Sequence, residues 1–300
     1  YSIIPLAIVI LVLSIFLLEN VGERKRPHLD LLSIVLSSFA FGGLLYGFSS
    51  ASTKGWGSPL VILPLLIGAA AFVWFIRRQF HLDEPLLELR ILKTPVFACS
   101  AAIVTIINSA LSVGSIVLPI YLQSVKGFSA FTTGMLMMPG AVASIFMSPI
   151  SGLLFDKFGP RGISIIGLTA LTGSLTALAF IGPTTSVLLL IVIYVLQSFG
   201  QTIANMPVNT WGINSLKNEY IAHGNAISNT GRQVGGSIST ALIITIMTMV
   251  TSSSKAPTSL LQTASGVRAA YAASACVAAV ALILAVLKVR KGGEAPLEEE

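Results

Sequence analysis

Three sets of polar side chains repeat at helical spacing inside stretches that are otherwise apolar. Gln197, Gln201, Asn205 and Asn209 follow one another at every fourth position, and the run from Ile163 to Leu216 around them carries no charge. Asn225, Asn229, Arg232, Gln233 and Ser239 form a second set, and Thr105, Asn108, Ser112 and Ser115 a third. A three- or four-residue step keeps side chains on one face of an α-helix. The chemistry on offer is hydrogen bonding by amides and hydroxyls, with one fixed positive charge at Arg232. Acid–base or nucleophilic chemistry is not indicated. Every Asp and Glu lies outside the apolar runs, and His28, His81 and His223 are far apart. Cys99 and Cys276 have neither metal-type nor redox-type spacing. There is no H-E-x-x-H and no glycine-rich phosphate loop. Neither an enzyme nor an ATP-driven pump is expected, nor is any cofactor or metal. A channel filter would need a charged ring or a carbonyl loop, and neither is evident.

The elements that position these side chains are long apolar runs. The chain is 54% hydrophobic and only 10% charged over 300 residues, with mean hydropathy +0.87. Soluble domains carry about 25% charged residues, so most of this surface is read as facing lipid. A helix needs about 20 apolar residues to cross a hydrocarbon core of about 30 Å. Charge-free stretches predict nine spans, at Ser2–Leu18, Leu31–Ser50, Pro59–Ile76, Pro95–Leu122, Thr133–Phe155, Gly162–Ile181, Val187–Trp211, Ala226–Val250 and Ala269–Leu287. The sixth and seventh are divided at Gly182-Pro183-Thr184-Thr185-Ser186, a turn composition. Lipid cannot satisfy backbone polar groups, so the spans are helices. The fold class is therefore all-α, a polytopic membrane helix bundle.

Nine spans assign alternate loops to opposite sides. Arg24, Lys25, Arg26, Arg77, Arg78, Arg90, Lys93, Lys157, Arg161, Lys217, Lys288, Arg290 and Lys291 fall on one side, against Lys54, Lys126, Lys255 and Arg268 on the other. Basic residues favour the cytoplasmic side, which makes the first side cytoplasmic. The net charge of +6 is thereby an orientation signal, and no nucleic-acid partner is expected. Residues 1–18 begin inside an apolar run with no basic n-region, which reads as a span entered part-way and not as a signal peptide. Residues 19–94 hold two charged linkers around a pair of spans with few polar residues, residues 95–288 six spans, and residues 289–300 a basic-then-acidic tail.

The junction of the fifth and sixth spans reads Gly152-Leu-Leu-Phe-Asp156-Lys157-Phe-Gly159-Pro160-Arg161. Gly152 would let two helices approach closely. Asp156 is expected to end one helix and face the positive end of the next, and Pro160 suits a first helical turn. Lys157 and Arg161 could pair with Asp156 or hold lipid phosphates. The spacing alone allows either an ordinary capped, positive-inside turn or a conformational latch. This G-x-x-x-D-K-x-G-x-R pattern resembles the signature loop of the major facilitator superfamily, a resemblance that tips the reading to the latch. The chain as a whole is similar to the later spans of 14-span drug:H⁺ antiporters of the multidrug and lincomycin-resistance type. That similarity is carried by Leu29-Asp30-Leu31, Glu84-Pro85-Leu86-Leu87 and Asn229-Thr-Gly-Arg232-Gln233-Val-Gly235-Gly236.

The resemblance implies a major facilitator fold and a division of the chain. Residues 1–18 would end the N-terminal helix half, 19–94 hold an extra helix pair with cytoplasmic linkers, 95–288 form the C-terminal six-helix half, and 289–300 be a cytoplasmic tail. It further implies proton-coupled efflux of lipophilic or cationic drugs by alternating access, with a drug-like small molecule, protons and the lipid bilayer as partners. A carrier of sugars, peptides or siderophores within the same superfamily is the alternative. No carboxylate sits in mid-span, so the titrating group is expected outside this chain. The latch residues would be Gly152, Asp156, Lys157, Gly159 and Arg161. The substrate cavity would draw on Gln197, Gln201, Asn205, Asn229, Arg232, Gln233 and Asn108. The competing role for the polar stripes is interhelical hydrogen bonding, worth about 0.6–2 kcal/mol per contact. Arg232 at membrane depth costs about 2.5–3.5 kcal/mol on insertion scales. It either snorkels to the interface or faces the cavity. Gly231 and Gly235 form a G-x-x-x-G for close helix contact.

Overall fold

The computed structural model describes residues 30–82, 85–254 and 256–289, with Pro5, Val9 and Leu13 as isolated helical positions. The span expected at 2–18, the linker at 19–29 and the tail after 289 lie outside the described residues. Residues 1–30 form a unit of their own, so the account below concerns residues 31 onward.

Among the described residues the architecture is all-helical. The order is α1 (Leu31–Lys54), α2 (Pro59–His81), a 3₁₀ turn (Leu89–Lys93), α3 (Pro95–Ser124), α4 (Ala130–Ala179), α5 (Val187–Ile213), a second 3₁₀ turn (Asn218–Tyr220), α6 (Ile221–Ser253) and α7 (Ser259–Lys288). All seven helices are long and apolar enough to cross a membrane. The 50-residue α4 holds two predicted spans, since Gly159 alone breaks its helical geometry, with φ 73° and ψ 175°. The eight spans expected between residues 31 and 287 are thus all found, with the second to ninth in register.

Local chemistry sets the boundaries. Pro59 and Pro95 open α2 and α3, where the missing N–H is no loss. Ser129 and Thr258 cap α4 and α7 by accepting from the backbone N–H of Thr132 and Leu261. The Thr258 cap starts α7 ten residues before the expected Ala269. Arg268 therefore lies inside a helix, and Arg232 is not the only charged residue in a span. The Arg268 side chain reaches the helix surface and donates to the Ile181 carbonyl.

Successive helices run in opposite directions. Arg77, Arg78, Arg90, Lys93, Lys157, Arg161, Lys217 and Lys288 stand at helix ends on one side, and Lys54, Lys126 and Arg268 toward the other. The main core runs between α3, the second arm of α4 (160–179), α5 and α7. It contains Ile103, Ile107, Tyr121, Leu168, Leu171, Leu175, Leu178, Val267 and Tyr271. Outward-facing residues such as Phe131, Ile145, Leu153, Phe180 and Leu287 are large and apolar, which suits lipid and not water.

Three helix pairs cross at backbone distance, one of them where a Cβ on Gly266 of α7 would stand 2.5 Å from the Met247 carbonyl of α6. A Cβ on Gly43 of α1 would stand 2.7 Å from the Pro64 carbonyl of α2. One on Gly167 of α4 would stand 2.7 Å from both the Gly200 carbonyl and the Ala204 nitrogen of α5. At the end of the bundle away from the Asp156 turn, the turn after α4 is held through its carbonyls. Tyr121 donates to Gly182 at 2.6 Å, Lys126 to Pro183 and Thr185, and Arg268 to Ile181.

Candidate functional site

The glycine-aspartate junction forms the bend of α4. Pro160 is buried and begins the second arm, and Ser164 donates to its carbonyl at 2.6 Å. The helix continues past Asp156 and breaks at Gly159, whose left-handed φ a residue with a side chain rarely adopts. Gly152 faces a side chain and not a backbone, for a Cβ there would meet the Met206 methyl at 3.3 Å. The first arm (130–158) is tied to α5 by Ser151, which donates to the Ile203 carbonyl at 3.3 Å. Asp156 is exposed and has no hydrogen-bond or ion-pair partner among the described residues. Of the two roles open to Lys157 and Arg161, the pairing with Asp156 is not formed. The Lys157 ammonium sits 5.4 Å from the centre of the Phe158 ring, and Arg161 donates to the Val286 carbonyl at 3.3 Å. That carbonyl belongs to the last turn of α7, where a cation is favoured by the helix dipole.

A cavity of about 300 Å³ lies between α1, α3 and α6, lined by Ser49, Asn108, Leu111, Ser112, Arg232, Gln233, Gly236, Ser237 and Thr240. At 1.5 Å rise per residue, Arg232 stands about 16 Å from the start of α6. Asn108 and Ser112 stand about 20–25 Å from the start of α3, so the cavity sits near mid-length of the bundle. Arg232 donates to the amide oxygen of Asn229, one turn back on α6. Asn108 donates to the Val104 carbonyl at 2.9 Å and Ser112 to the Asn108 carbonyl at 3.2 Å. These bonds to the helix's own backbone hold the α3 side chains in place.

The α3 stripe serves two purposes at once. Thr105 packs against Gly231 and Gly235, where added Cβ atoms would collide with its side chain. Asn108 and Ser112 line the cavity one and two turns further on. The close α3–α6 contact expected of the G-x-x-x-G is present.

The structure therefore brings Asn108, Arg232 and Gln233 together and leaves Gln197, Gln201 and Asn205 outside that wall. The reason is packing: α5 lies along α4 and the neighbouring edge of α3, whereas α6 lies against α3, α7 and α1. Gln197 is buried, with its amide nitrogen 2.5 Å from where a Cβ on Gly114 would stand. Its carbonyl oxygen has no partner among the described residues. Gln201 and Asn205 are half-buried.

Ser49, Ser237 and Thr240 join the wall beyond the residues expected there. Ser237 follows Gln233, and Thr240 follows Gly236, by the same four-residue step, so helical spacing carries that signal. Ser49 comes from α1, which docks on α6. Trp56 donates to Thr245 at 2.7 Å, and Ala51 and Val61 pack with Ala241. At the basic end, the backbone N–H of Glu88 donates to His223 Nδ1 at 3.3 Å.

A family model described as Major Facilitator Superfamily matches residues 30–240. The chain belongs to the major facilitator superfamily. Membership in this family of carriers sets the protein apart from enzymes and places it as a multi-pass protein of the cell membrane. Among its relatives, the MFS-type transporter YcnB of Bacillus subtilis, described as uncharacterized, is 43% identical over 249 residues, covering 82% of this chain and 52% of the relative. The lincomycin resistance protein LmrB of Listeria monocytogenes is 37% identical over 244 residues, covering 81% and 52%. The multidrug resistance protein B homolog of Mycobacterium tuberculosis is 25% identical over 250 residues, covering 82% and 46%. The chain spans about half the length of the curated relatives it matches.

Proposed function

We propose that this major facilitator chain is part of a secondary active exporter of lipophilic, drug-like molecules, driven by protons and working by alternating access. The observation that carries the reading is the mid-bundle cavity between α3 and α6, where polar side chains converge in an otherwise apolar bundle. Transporters of this general kind bind near the membrane midplane. The names of the resistance-protein relatives support drugs as cargo. The expected choice between lipophilic and cationic cargo narrows at Arg232. A second positive charge about 4 Å away would be repelled by about 4 kcal/mol at an effective dielectric of about 20, so a cation does not suit this cavity.

The bend at Gly159 supports a latch role for the signature junction. Asp156 is an exposed carboxylate without a partner among the described residues, on a turn whose neighbours Lys157 and Arg161 already have other contacts. A second arrangement of the helices could give it one. We also propose that the orientation follows the basic residues, with the Asp156 turn in the cytoplasm.

The test is efflux from bacterial cells expressing the full-length protein, with uncharged and acidic lipophilic dyes as cargo. Export that stops with an uncoupler and survives ATP depletion is expected. Export that survives the uncoupler and stops on ATP depletion would refute proton-driven transport.

A further inference from the structure

We propose that the cavity between α1, α3 and α6 binds the anionic group of an otherwise apolar molecule, a carboxylate or a phosphate, with Arg232 as the charge that selects it. Since the cavity belongs to the proposed transport pathway, the assignment rests on that reading and narrows its substrate class.

Arginine stays ionised under all physiological conditions and offers five N–H donors in a rigid plane. None of the nine residues lining the cavity is an Asp or a Glu. The one hydrogen bond of Arg232 among the described residues goes to Asn229, a neutral amide. Among the described residues the charge is thus oriented but not neutralised. A carboxylate or phosphate matches the guanidinium fork with two parallel hydrogen bonds and supplies the missing charge.

The rest of the wall suits the same occupant. Gln233, Ser237 and Thr240 have no hydrogen-bond partner among the described residues, and each can donate to an anionic oxygen. Leu111 and the bare backbone of Gly236 give an apolar side. The volume of about 300 Å³ lies at the low end of small-molecule sites, which run from about 300 to 1,000 Å³. It accommodates a charged head and a few carbons.

The position of Ser49 adds a second point. The extra helix pair supplies part of the wall and is fixed there by the Trp56–Thr245 hydrogen bond and the Ala51, Val61 and Ala241 contact. The pair is thereby a component of the binding site and not a spacer between two helix halves.

The experiment is equilibrium binding to the full-length protein in phosphatidylcholine nanodiscs, with no ion gradient. Three probes of equal chain length are used: decyl phosphate, decanol and decyltrimethylammonium. Decyl phosphate is expected to bind at least tenfold more tightly than decanol, and the ammonium more weakly than either. Equal binding of the three, or preference for the ammonium, overturns the proposal without any variant. Arg232→Gln is expected to abolish the preference and Arg232→Lys to keep part of it. A preference unchanged in Arg232→Gln also overturns it. Ser49→Leu should weaken decyl phosphate at least fivefold, and no change there overturns the role of the extra pair.

Nanodiscs containing phosphatidylglycerol separate two sources of the anion. Competition with decyl phosphate beyond the surface-charge effect seen in Arg232→Gln identifies a lipid head group as an occupant. Its absence identifies a soluble or exported anion. Binding needs no gradient, so a failed preference with intact efflux removes only this assignment. Intact preference without efflux removes the transport reading instead.

Discussion

Substituting Gly200 by alanine tests a helix crossing at backbone distance. A Cβ at Gly200 would stand 2.5 Å from the Leu171 nitrogen and 2.6 Å from the Gly167 carbonyl oxygen. Both are backbone atoms, so no side chain can swing aside. Ordinary carbon–oxygen contacts are about 3.3–3.6 Å, so the second arm of α4 and α5 must part by about 0.8 Å. A gap of about 0.5–1 Å forfeits about a quarter to a half of each dispersion contact along the seam, and overpacking of this kind costs about 1–3 kcal/mol. Alanine's better helix propensity returns up to about 1 kcal/mol. A net loss of about 1–2 kcal/mol corresponds to an unfolding equilibrium constant raised about 5- to 30-fold. Unfolding of the purified protein by dodecyl sulfate in mixed micelles would read this, with buried Trp211 on α5 as a fluorescent reporter. Gly173, on the same arm of α4, has nothing within 4 Å of its added Cβ, so Gly173→Ala should be neutral or stabilising. If Gly200→Ala proved as stable as Gly173→Ala, the backbone-to-backbone crossing would be refuted.

Three other outcomes are expected. Asp156→Asn should lower efflux at least fivefold with membrane insertion intact, measured as dye export against the amount of protein in the membrane; unchanged export would reduce the junction to a topological marker. Gln201→Leu lies outside the α1–α3–α6 cavity, so a resistance profile identical to wild type would assign the α5 stripe to packing, whereas an altered drug range would show a second substrate-facing surface. Trp56→Phe keeps the aromatic contact with Phe48 and removes the hydrogen bond to Thr245, at a cost of about 0.5–1.5 kcal/mol. It should therefore loosen the α1–α2 pair, seen as faster hydrogen exchange in residues 51–61 with little change in α3. Unaltered exchange there would show that apolar packing alone docks the pair.

The spans are legible because the bilayer makes one demand that composition can express. A run of about twenty uncharged, apolar residues is long enough to cross the hydrocarbon core, and arginine and lysine mark its ends. The bend of α4 is legible in part. The polar Asp156–Lys157 pair looks like the end of a helix, but a few residues of extra turn are tolerated at an interface, and Gly159 decides the break. Composition misplaces Arg268, because a long side chain can leave a helix and find a carbonyl, so its charge does not mark a loop. The site is less legible than the spans. Periodicity tells which side chains share a face of one helix. It does not tell which helix stands opposite, and so it groups Gln197 with Arg232 although α5 and α6 lie on different sides of α3. Ser49 is hidden from composition, since serines recur throughout α1 and only the docking of α1 on α6 brings this one to the wall.

The turn at 182–186 makes this chain divisible. Three donors from α3, the turn after it and α7 grip the backbone on both sides of the Pro183–Thr184 bond, Tyr121, Lys126 and Arg268 before it and Lys126 again after it. Covalent continuity at that bond adds little to what the donors already hold. Two polypeptides made separately, one ending at Pro183 and the other starting at Thr184, should therefore find each other in the membrane and copurify, as the loose ends of a rope stay put once each is cleated.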